Sequence, residues 1–255
     1  MNEKYIFGPV VSRRLGISLG VDIVSFKTCT LDCIYCQVGK TTRKTIERKQ
    51  YLSPEKILTE LKEVLKAGKK IDYITLSGNG EPTLNSKLGE IIREIKSITA
   101  ISIAVITNGT LLNDKNVREE LLSADLVMPS LDAATQETFE KIDRPYPSLK
   151  IEDIIEGMVE FRKVYSGNLW LEIMLVKGIN DNKYELAALK KATEKIEPDK
   201  IQLNTPVRPT CEKELQTLSV QELLAIKEFF GNKCEIILEL NRKEHEEHIR
   251  QIQKR

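Results

Sequence analysis

The sequence predicts an α/β fold, a partial (β/α)6 TIM-like barrel of parallel strands with a C-terminal extension. Short apolar runs typical of strands alternate along the chain with amphipathic helical patterns, which favours parallel strands joined by right-handed crossovers. The length of 255 residues also suits a single α/β barrel. A doubly wound open sheet shows the same alternation and remains the alternative. In both folds the functional site lies at the carboxyl ends of the strands.

The strands are predicted from short runs rich in valine, isoleucine and leucine. In chain order these runs are 16–24, 72–78, 101–109, 125–132, 168–178 and 199–206, with a further one at 234–240. The first run leads into a cysteine-rich loop. The next five end in the polar sequences "SGNGEP", "TNG", "SLD", "VKGIND" and "NTPVRP". Polar sequences at the ends of so many strands predict a site lined by polar side chains at one edge of the sheet.

The helices between the strands have recognisable boundaries. Ser53 is the expected N-cap of the first helix, Pro54 occupies its first turn, and Gly68 lies just past its end. One apolar face defines the second helix, formed by Leu88, Ile91, Ile92, Ile95 and Ile98. Further helices are expected at about 115–123, 135–141, 151–164 and 183–196. Ser219 and Glu222 match a capping box for a helix to about 230, and a charged helix is expected at the C-terminus.

Two parts are predicted: a core barrel, residues 1–210, and a strand–helix extension, residues 211–255, packed on it. The charges almost cancel, with 39 Lys and Arg against 38 Asp and Glu, so no broad attraction to nucleic acid or acidic membranes is expected. The first residues contain no apolar signal-peptide core, and no run approaches the roughly 18 apolar residues of a membrane span. We therefore expect a cytoplasmic protein that does not contact membranes.

Three of the five cysteines lie in one short stretch, "FKTCTLDCIYCQVGKTT" (26–42). Cys29, Cys33 and Cys36 follow the spacing C-x3-C-x2-C, and in a chain without a signal peptide such a group favours a metal or redox site over disulfides. Three thiolates suit a [4Fe–4S] cluster that leaves one iron open, whereas zinc usually takes four ligands. A zinc site and three unrelated buried thiols are the alternatives.

This cysteine spacing, with Tyr35 directly before the last cysteine, resembles that of the radical S-adenosylmethionine (SAM) superfamily. "GNGEP" (78–82) is similar to the glycine–glutamate–proline motif of that family and follows the cysteines after one helix, as it does there. The resemblance covers most of the chain. It implies a [4Fe–4S] cluster bound by the three cysteines, with SAM on the open iron.

The resemblance also implies which residues contact SAM. The "GNGEP" residues Gly78, Asn79, Gly80 and Glu81 would lie at the methionine amino group, and Tyr35 would contact the adenine through its backbone. The ends of the next two strands match the positions that contact the ribose and carboxylate, namely Asn108, Ser130 and Asp132.

Local explanations remain open for several of these residues. "GNGEP" is also typical of a turn, Asn108 of an Asn-Gly turn, and Asp132 of a helix N-cap. The strand "EIMLVKG" lacks the glycine–isoleucine–glycine pattern that many family members place near the adenine. Met174 and Val176 could supply an apolar wall instead.

The implied reaction starts when the reduced cluster passes one electron to SAM, which yields methionine and a 5′-deoxyadenosyl radical. The radical then takes a hydrogen atom from a substrate that the sequence does not name: a nucleoside, an RNA or another small polar molecule. Reduced flavodoxin or ferredoxin is the expected electron donor. One alternative is an activating enzyme that takes a glycine hydrogen from a partner protein. The other is a non-catalytic metal-binding module.

Within the superfamily, "SRRLG" (12–16) and "QLNTPVRP" (202–209) look most like small proteins related to the wyosine-forming tRNA enzymes. Those enzymes carry additional N-terminal cysteines, and this chain has none before Cys29, so the wyosine activity itself is not expected. Cys211 and Cys234 are the remaining cysteines, and Cys211 lies near the presumed mouth of the barrel, where an incidental loop thiol is the simpler interpretation.

Four arginines and both histidines also require an interpretation. The arginines either bind a phosphate or carboxylate or form structural ion pairs, and they are Arg13, Arg14, Arg144 and Arg208. His245 and His248 are expected on a solvated terminal helix rather than at a metal site.

Overall fold

A computed structural model describes residues 4–237 of the chain. Its strands are β1 (Ile6–Ser12), β2 (Gly16–Val21), β3 (Thr28–Cys29), β4 (Arg43–Lys44), β5 (Tyr73–Leu76), β6 (Ser102–Thr107), β7 (Leu126–Pro129), β8 (Asn168–Met174), β9 (Lys200–Asn204) and β10 (Cys234–Ile236). Its α-helices are α1 (Pro54–Leu65), α2 (Leu88–Ile98), α3 (Lys115–Leu121), α4 (Gln136–Ile142), α5 (Ile151–Val164), α6 (Lys183–Ile196) and α7 (Val220–Phe230), and a 3-10 turn spans Pro82–Leu84.

The order of the strands in the main sheet decides between the two predicted architectures. The order is β1-β2-β5-β6-β7-β8-β9-β10, and β3 pairs separately with β4. Neighbours from β2 to β10 are parallel, and only β1 is antiparallel to its neighbour. A doubly wound sheet reverses its strand order at a switch point, whereas this order follows the chain. The prediction of a partial barrel is therefore confirmed.

The strand β1, which forms the edge of the sheet, was not predicted from the sequence. Gly8 and Pro9 interrupt its apolar pattern, and the register with β2 shifts between Phe7 and Val10. Proline cannot donate to a ladder, so it is tolerated on an edge strand but lowers the strand signal in the sequence.

Side chains on the strands alternate between the helix-facing core and the concave face of the sheet. Leu19, Ile74 and Ile173 belong to the helix-facing core. Their neighbours Ser18, Thr75 and Glu172 line the concave cavity. At one end of this face Leu15 packs with Ala104, Leu126 and Met128 and forms an apolar floor.

The six predicted runs from 16–24 to 199–206 all end as strands two to four residues earlier than the sequence pattern suggests, and two of them have a clear local cause. The fifth predicted run, 168–178, stops as a strand at Met174, because the side chain of Asn180 then satisfies the backbone. Its Nδ2 donates to the Met174 carbonyl over 2.7 Å, and its Oδ1 accepts from Val176 N–H at 2.8 Å. The run 125–132 stops at Pro129, which cannot donate to the ladder.

The helix ends agree closely with the capping signals. Ser53 accepts from Lys56 N–H at the start of α1, and Ser219 with Glu222 forms the predicted capping box of α7. After α7, β10 pairs with β9, and Phe230 and Cys234 join the core of the barrel. The division at residue 210 stays a prediction. The predicted strand end at 240, the terminal helix, His245 and His248 lie outside the described residues. No helix within residues 4–237 has the length and apolar character needed to cross a membrane.

Candidate active site

The cysteine loop follows β2 and is held at several points by backbone hydrogen bonds. Cys29 lies in the β3–β4 ladder, and the Cys36 N–H donates to the Cys33 carbonyl at 3.1 Å in a tight turn. Between them, the Ile34 N–H donates to the Ile142 carbonyl at 3.0 Å. All three cysteines are half-buried. The loop is therefore an ordered structure that holds its thiols in place.

Two of these thiols, those of Cys29 and Cys33, have raised pKa values. Burial raises the pKa of Cys29 to about 12, and the negative charges of Glu81 and Cys36 add to the shift. Burial, followed by the charge of Asp143, raises the pKa of Cys33 well above its usual value. Such thiols become thiolates when a ligand brings positive charge, as iron does.

The loop offers three cysteine thiols, the ligand type of iron–sulfur clusters. Among residues 4–237, no three His, Cys, Asp or Glu side chains converge closely enough to hold a single metal ion. A four-iron cluster binds each thiolate through a different iron and so accepts ligands that are further apart. The donor set of Cys29, Cys33 and Cys36 therefore fits a [4Fe–4S] cluster.

The "GNGEP" turn after β5 is joined directly to the cysteine loop. The Glu81 N–H donates to the Thr28 carbonyl at 3.0 Å, and the Lys27 N–H donates to the Asn79 carbonyl at 2.7 Å. A Cβ atom on Gly80 would lie 2.0 Å from the Thr28 carbonyl oxygen. Only glycine allows this approach of the two backbones.

Asn79 is held by two hydrogen bonds to Asp22, the residue that follows β2. Its backbone N–H and its Nδ2 each donate to Asp22, both at 2.7 Å. Burial raises the pKa of Asp22 to about 6, although the Asn79 N–H lowers it. Gly78 has a φ of +122°, and a Cβ there would lie 2.1 Å from an Asp22 oxygen.

Glu81 is buried, and both of its carboxylate oxygens accept hydrogen bonds from other residues of the protein. Its Oε1 accepts from the backbone N–H and hydroxyl of Thr83 and from the hydroxyl of Thr107. Its Oε2 accepts from the Asn108 N–H at 2.7 Å. Glu81 therefore connects the end of β5 to the end of β6.

Asn108, at the end of β6, reaches the cysteine loop. Its Nδ2 donates to Cys29 Sγ at 3.5 Å and to Thr30 Oγ1 at 2.7 Å. The left-handed residue of this turn is Gly109, with a φ of +72°. The side chain of Asn108 thus has a contact that a simple Asn-Gly turn does not need.

Asp132 is also committed to internal hydrogen bonds. Its Oδ1 accepts from the Met174 N–H at 2.7 Å, and its Oδ2 accepts from the hydroxyl of Tyr35. The N-cap of the next helix is Thr135, not Asp132. Burial and the charge of Asp143 raise the pKa of Asp132 well above its usual value. Ser130 is half-buried, and its N–H donates to the Thr107 carbonyl at 3.0 Å.

A cavity of about 450 Å³ occupies the concave face of the barrel. Four parts of the chain line it. The cysteine loop contributes Cys33, Tyr35, Cys36 and Gln37, and the first hairpin contributes Phe7, Val10, Val11, Ser12, Arg13, Arg14 and Leu15. The region of β2 and β5 contributes Ser18, Gly20, Thr75, Ser77 and Gly78, and the later strands and their ends contribute Ile106, Glu172, Met174, Asn204 and Arg208. The structure thus brings two of the cysteines, Tyr35 and Gly78 into one space. Asn108, Ser130 and Asp132 line a second, smaller void beside Leu31 and Phe139.

Sequence reasoning missed most of the cavity wall. The contribution of the first hairpin depends on β1, which was not predicted. Glu172 carried a usable signal, because a carboxylate in the apolar run "LWLEIML" is unusual for a buried strand. Of the two residues considered for an apolar wall, Met174 lines the cavity, whereas Val176 is buried in the core.

The arginines have different environments. Arg14 forms an ion pair with Glu172, and Arg13 Nη1 lies 3.4 Å from Asn204 Oδ1. Arg208 lines the cavity and is exposed. Arg144 pairs with Glu212 at 2.7 Å in a solvent-exposed position that does not line the cavity.

The two remaining cysteines, Cys211 and Cys234, lie in different surroundings. The backbone N–H of Cys211 donates to the carbonyl of Cys36 at 3.0 Å, so the loop after β9 is tied to the cysteine loop. Cys234 is buried in β10.

Comparisons with known proteins agree with this geometry. The family model described as the radical SAM superfamily matches residues 23–189. A UPF0026 protein of Methanocaldococcus jannaschii is 38% identical over 229 residues, which cover 88% of this chain and 70% of that protein. A crystal structure of a radical SAM methyltransferase from Sphaerobacter thermophilus has the same fold, with a TM-score of 0.63 and 16% identity over 86% of this chain and 65% of that chain.

A further relative is named for a GTPase and not for radical SAM chemistry. A protein of Brachyspira hyodysenteriae named GTPase Obg is 45% identical over 240 residues, which are 94% of this chain but 35% of that protein. The chain therefore spans about a third of that relative. The phosphate-binding sequence G-x-x-x-x-G-K-[ST] of GTPases is absent here, since Ile34 stands where "GKT" (39–41) would need the first glycine.

Proposed function

Since this chain belongs to the radical SAM superfamily and to the UPF0026 family within it, we propose that it is an enzyme that abstracts a hydrogen atom from a substrate bound in the barrel cavity. The cofactors of the superfamily are a [4Fe–4S] cluster and SAM. Bound together, they supply a 5′-deoxyadenosyl radical that can take hydrogen from an unactivated position. The protein contributes binding, orientation and exclusion of water.

One observation supports the proposal above the others. The 450 Å³ cavity joins Cys33 and Cys36 of the cysteine loop to Gly78 of the "GNGEP" turn and to the concave face of the sheet. A substrate in this space would lie beside the cofactors. A volume of this size is ordinary for a small-molecule site.

The three cysteines of the loop are the proposed ligands of the cluster, namely Cys29, Cys33 and Cys36. The raised pKa values of Cys29 and Cys33 are consistent with thiols that ionise on binding iron. Asn108 would donate to the sulfur of one ligand.

The proposed SAM site lies along the cavity next to the cluster. Gly78, with Asn79 and Gly80, would present backbone to the methionine part, and the backbone of Tyr35 would contact the adenine. Ser130 is proposed as a contact from the next strand ends, whereas Asn108 acts through Cys29, because its side-chain amide already bonds to Cys29, Thr30 and Thr110. Glu81 and Asp132 are proposed to act on the SAM site through other residues, because their carboxylate oxygens already accept hydrogen bonds from within the protein. Glu81 orients Asn108, and Asp132 orients Tyr35.

An acidic electron carrier such as flavodoxin or ferredoxin is the proposed reductant. Exposed cations Lys40, Arg43 and Lys44 follow the cysteine loop, and Phe26 before it is 65% exposed. Lys27 Nζ lies 5.7 Å from the centre of the Phe26 ring, and Arg43 also forms an ion pair with Glu47 at 3.5 Å. Exposed positive charge near an apolar group suits docking of a negatively charged protein.

Anaerobic reconstitution with iron and sulfide, followed by dithionite and SAM, tests the proposed function. We expect one four-iron cluster per chain and release of 5′-deoxyadenosine. Chains with Cys29, Cys33 or Cys36 replaced by alanine should lose both, whereas Cys234→Ala should retain both. A fully loaded protein that forms no 5′-deoxyadenosine would contradict the proposal. Deuterium transfer from labelled candidate substrates into 5′-deoxyadenosine then identifies the substrate.

A further inference from the structure

An aromatic ring lies flat on the sheet at the edge of the cavity. Phe7 on β1 stands opposite Gly20 on β2 in the register of the two strands. A Cβ atom on Gly20 would lie between 2.0 and 2.4 Å from three atoms of the Phe7 ring, namely Cζ, Cε2 and Cε1. A point beyond the tip of the ring would be clearly further from both Cε atoms than from Cζ. Gly20 therefore lies under the face of the ring.

The glycine gives this ring its room. Gly20 does not have a positive φ, so its backbone conformation does not require glycine. Glycine inside a strand weakens the strand and often marks the close approach of another group. Here that group is the Phe7 ring, whose Cε1 would also lie 3.1 Å from a Cβ atom on Gly78. The ring is therefore held against the backbone at two positions.

The rest of the ring surface is open to the cavity. Phe7 lines the cavity and is 39% exposed, although Gly20 covers one face of its ring. Val10 on the same strand lines the same wall and is 47% exposed. The cover that an aromatic ring gives to a strand glycine explains the packed face but not the apolar surface that stays open. Exposed apolar surface in a cavity of ligand size is typical of a binding site.

A pair of hydroxyl groups lies directly beside the ring. Thr75 on β5 stands opposite Gly20 on the other side of β2, and Ser18 precedes Gly20 by two residues, so all three lie on the same face of the sheet. The hydroxyls of Ser18 and Thr75 are joined by a 2.6 Å hydrogen bond, and both residues line the cavity. Phe7, Gly20 and Thr75 thus form one row across three neighbouring strands, about 10 Å long.

The hydroxyl pair has one proton to spare. Two hydroxyls carry two protons, and the bond between Ser18 and Thr75 uses one of them. Neither hydroxyl forms another hydrogen bond with any of residues 4–237, and the two residues are only 6% and 3% exposed. A buried donor without an acceptor costs free energy. The second proton is therefore suited to an acceptor on a molecule bound in the cavity.

We propose that the substrate is a nucleoside or contains one, that its base stacks on the open face of Phe7, and that one of its oxygen or nitrogen atoms accepts from the Ser18–Thr75 pair. This inference rests on the proposed function, because it takes the cavity as the substrate site. Nucleobases stack on aromatic side chains whatever their sequence, since each has a π face. An apolar ring alone would leave the hydroxyl donor unpaired, and a sugar alone would leave Phe7 uncovered. A nucleoside satisfies both within the length of the row.

Calorimetric titration of the reconstituted protein tests this inference. SAM is itself a nucleoside derivative, so it is present at saturation throughout. The probes are inosine and uridine, with ribose as the control that lacks a base, and we expect at least one nucleoside to bind and ribose not to bind. Phe7→Leu keeps an apolar side chain but removes the π face, and should weaken the nucleoside about tenfold or more, whereas Phe7→Tyr should retain it. Thr75→Val removes one hydroxyl and should weaken it about threefold or more.

Phe229→Leu is the matched control. Phe229 lies on α7, is 42% exposed and does not line the cavity, so its replacement should leave nucleoside binding unchanged. The inference is overturned if the wild-type protein binds neither nucleoside, or if Phe229→Leu weakens binding as much as Phe7→Leu. Unchanged affinity in a folded Phe7→Leu or Thr75→Val protein overturns it as well. Circular dichroism of each variant confirms that it is folded.

The same samples distinguish the inference from the proposed function. SAM affinity is measured in each variant, and a loss confined to SAM in Phe7→Leu would assign this ring to the cofactor and overturn the inference. Protein that forms 5′-deoxyadenosine but binds no nucleoside contradicts the inference alone. Protein that binds a nucleoside but forms no 5′-deoxyadenosine when fully loaded contradicts the proposed function alone.

Discussion

The side-chain amide of Asn108 donates to the sulfur of Cys29 across 3.5 Å, although 79 residues separate them in the chain. The same Nδ2 donates to Thr30 Oγ1 at 2.7 Å, and Asn108 Oδ1 accepts from Thr110. The amide is thus oriented by residues on both sides. Under the proposed function it donates to a ligand of the cluster.

Replacement of Asn108 by alanine should make the cluster harder to reduce. A hydrogen bond to a ligand sulfur stabilises the more negative, reduced cluster, so its loss lowers the reduction potential. One such bond corresponds to a shift on the order of 50 mV. A redox titration followed by electron paramagnetic resonance measures it. Asn113→Ala, on the exposed side of the same loop, serves as control, and an unchanged potential in a fully loaded Asn108→Ala protein would exclude the role.

Replacement of Glu81 by glutamine should destabilise the folded protein by about 1–3 kcal/mol. The backbone N–H groups of Thr83 and Asn108 donate to different oxygens of Glu81, and neither can turn away. A glutamine would place its NH2 group against one of these donors. Urea unfolding of the cluster-free protein measures the loss. Glu63→Gln changes an exposed partner of Lys66 and should have an effect below about 0.5 kcal/mol.

Replacement of Tyr35 by phenylalanine should also destabilise the protein, by about 1–3 kcal/mol. The change removes the hydroxyl that donates to the buried Oδ2 of Asp132 and leaves that oxygen without this donor. Tyr184→Phe makes the same substitution at a residue that is 76% exposed and should be neutral. Equal unfolding midpoints for the two variants would show that the contact contributes nothing to stability.

Replacement of Gly80 by alanine should prevent the normal approach of the "GNGEP" turn to the cysteine loop. The new Cβ would lie 2.0 Å from a backbone oxygen of Thr28, which cannot move without displacing Cys29. We expect a loss of more than about 2 kcal/mol and poor loading of the cluster. Gly178→Ala is the control: its φ is +77° and its Cβ would meet no atom within 4 Å, so it should cost only about 1 kcal/mol and load normally. Comparable iron contents in the two variants would argue against the clash.

Asp22 should make the cluster-free protein less stable as the pH rises from about 4 to about 6. Burial raises the pKa of Asp22 from 3.8 to about 6 in the folded state. Between these values the folded chain binds a proton that the unfolded chain has released, so the free energy of unfolding decreases with pH and levels off above about 6. Asp22→Asn should remove this part of the pH dependence, whereas the exposed Asp153→Asn should keep it. Unfolding curves at a series of pH values that show the same slope in all three proteins would refute the assignment.

Several features of the fold could be predicted because their signals are local. The N-caps Ser53 and Ser219 act on the next three residues, so the starts of α1 and α7 agree with the prediction. The apolar faces of the helices likewise follow from spacings within one or two turns. By contrast, β1 was missed, because Gly8 and Pro9 break its pattern and its stability comes from pairing with β2.

The sequence by itself determined the cysteine spacing, the polar strand ends and the alternation of strands with helices, and these were sufficient to indicate the superfamily and its cofactors. The tertiary structure decided the order of the strands, which separates a partial barrel from a doubly wound sheet. It also decided that Glu81 and Asp132 bond inside the protein and that Arg14 meets Glu172, 158 residues away. The physical reason is range: turns and caps depend on neighbours in the chain, whereas a buried charge finds its partner only when distant strands are brought together.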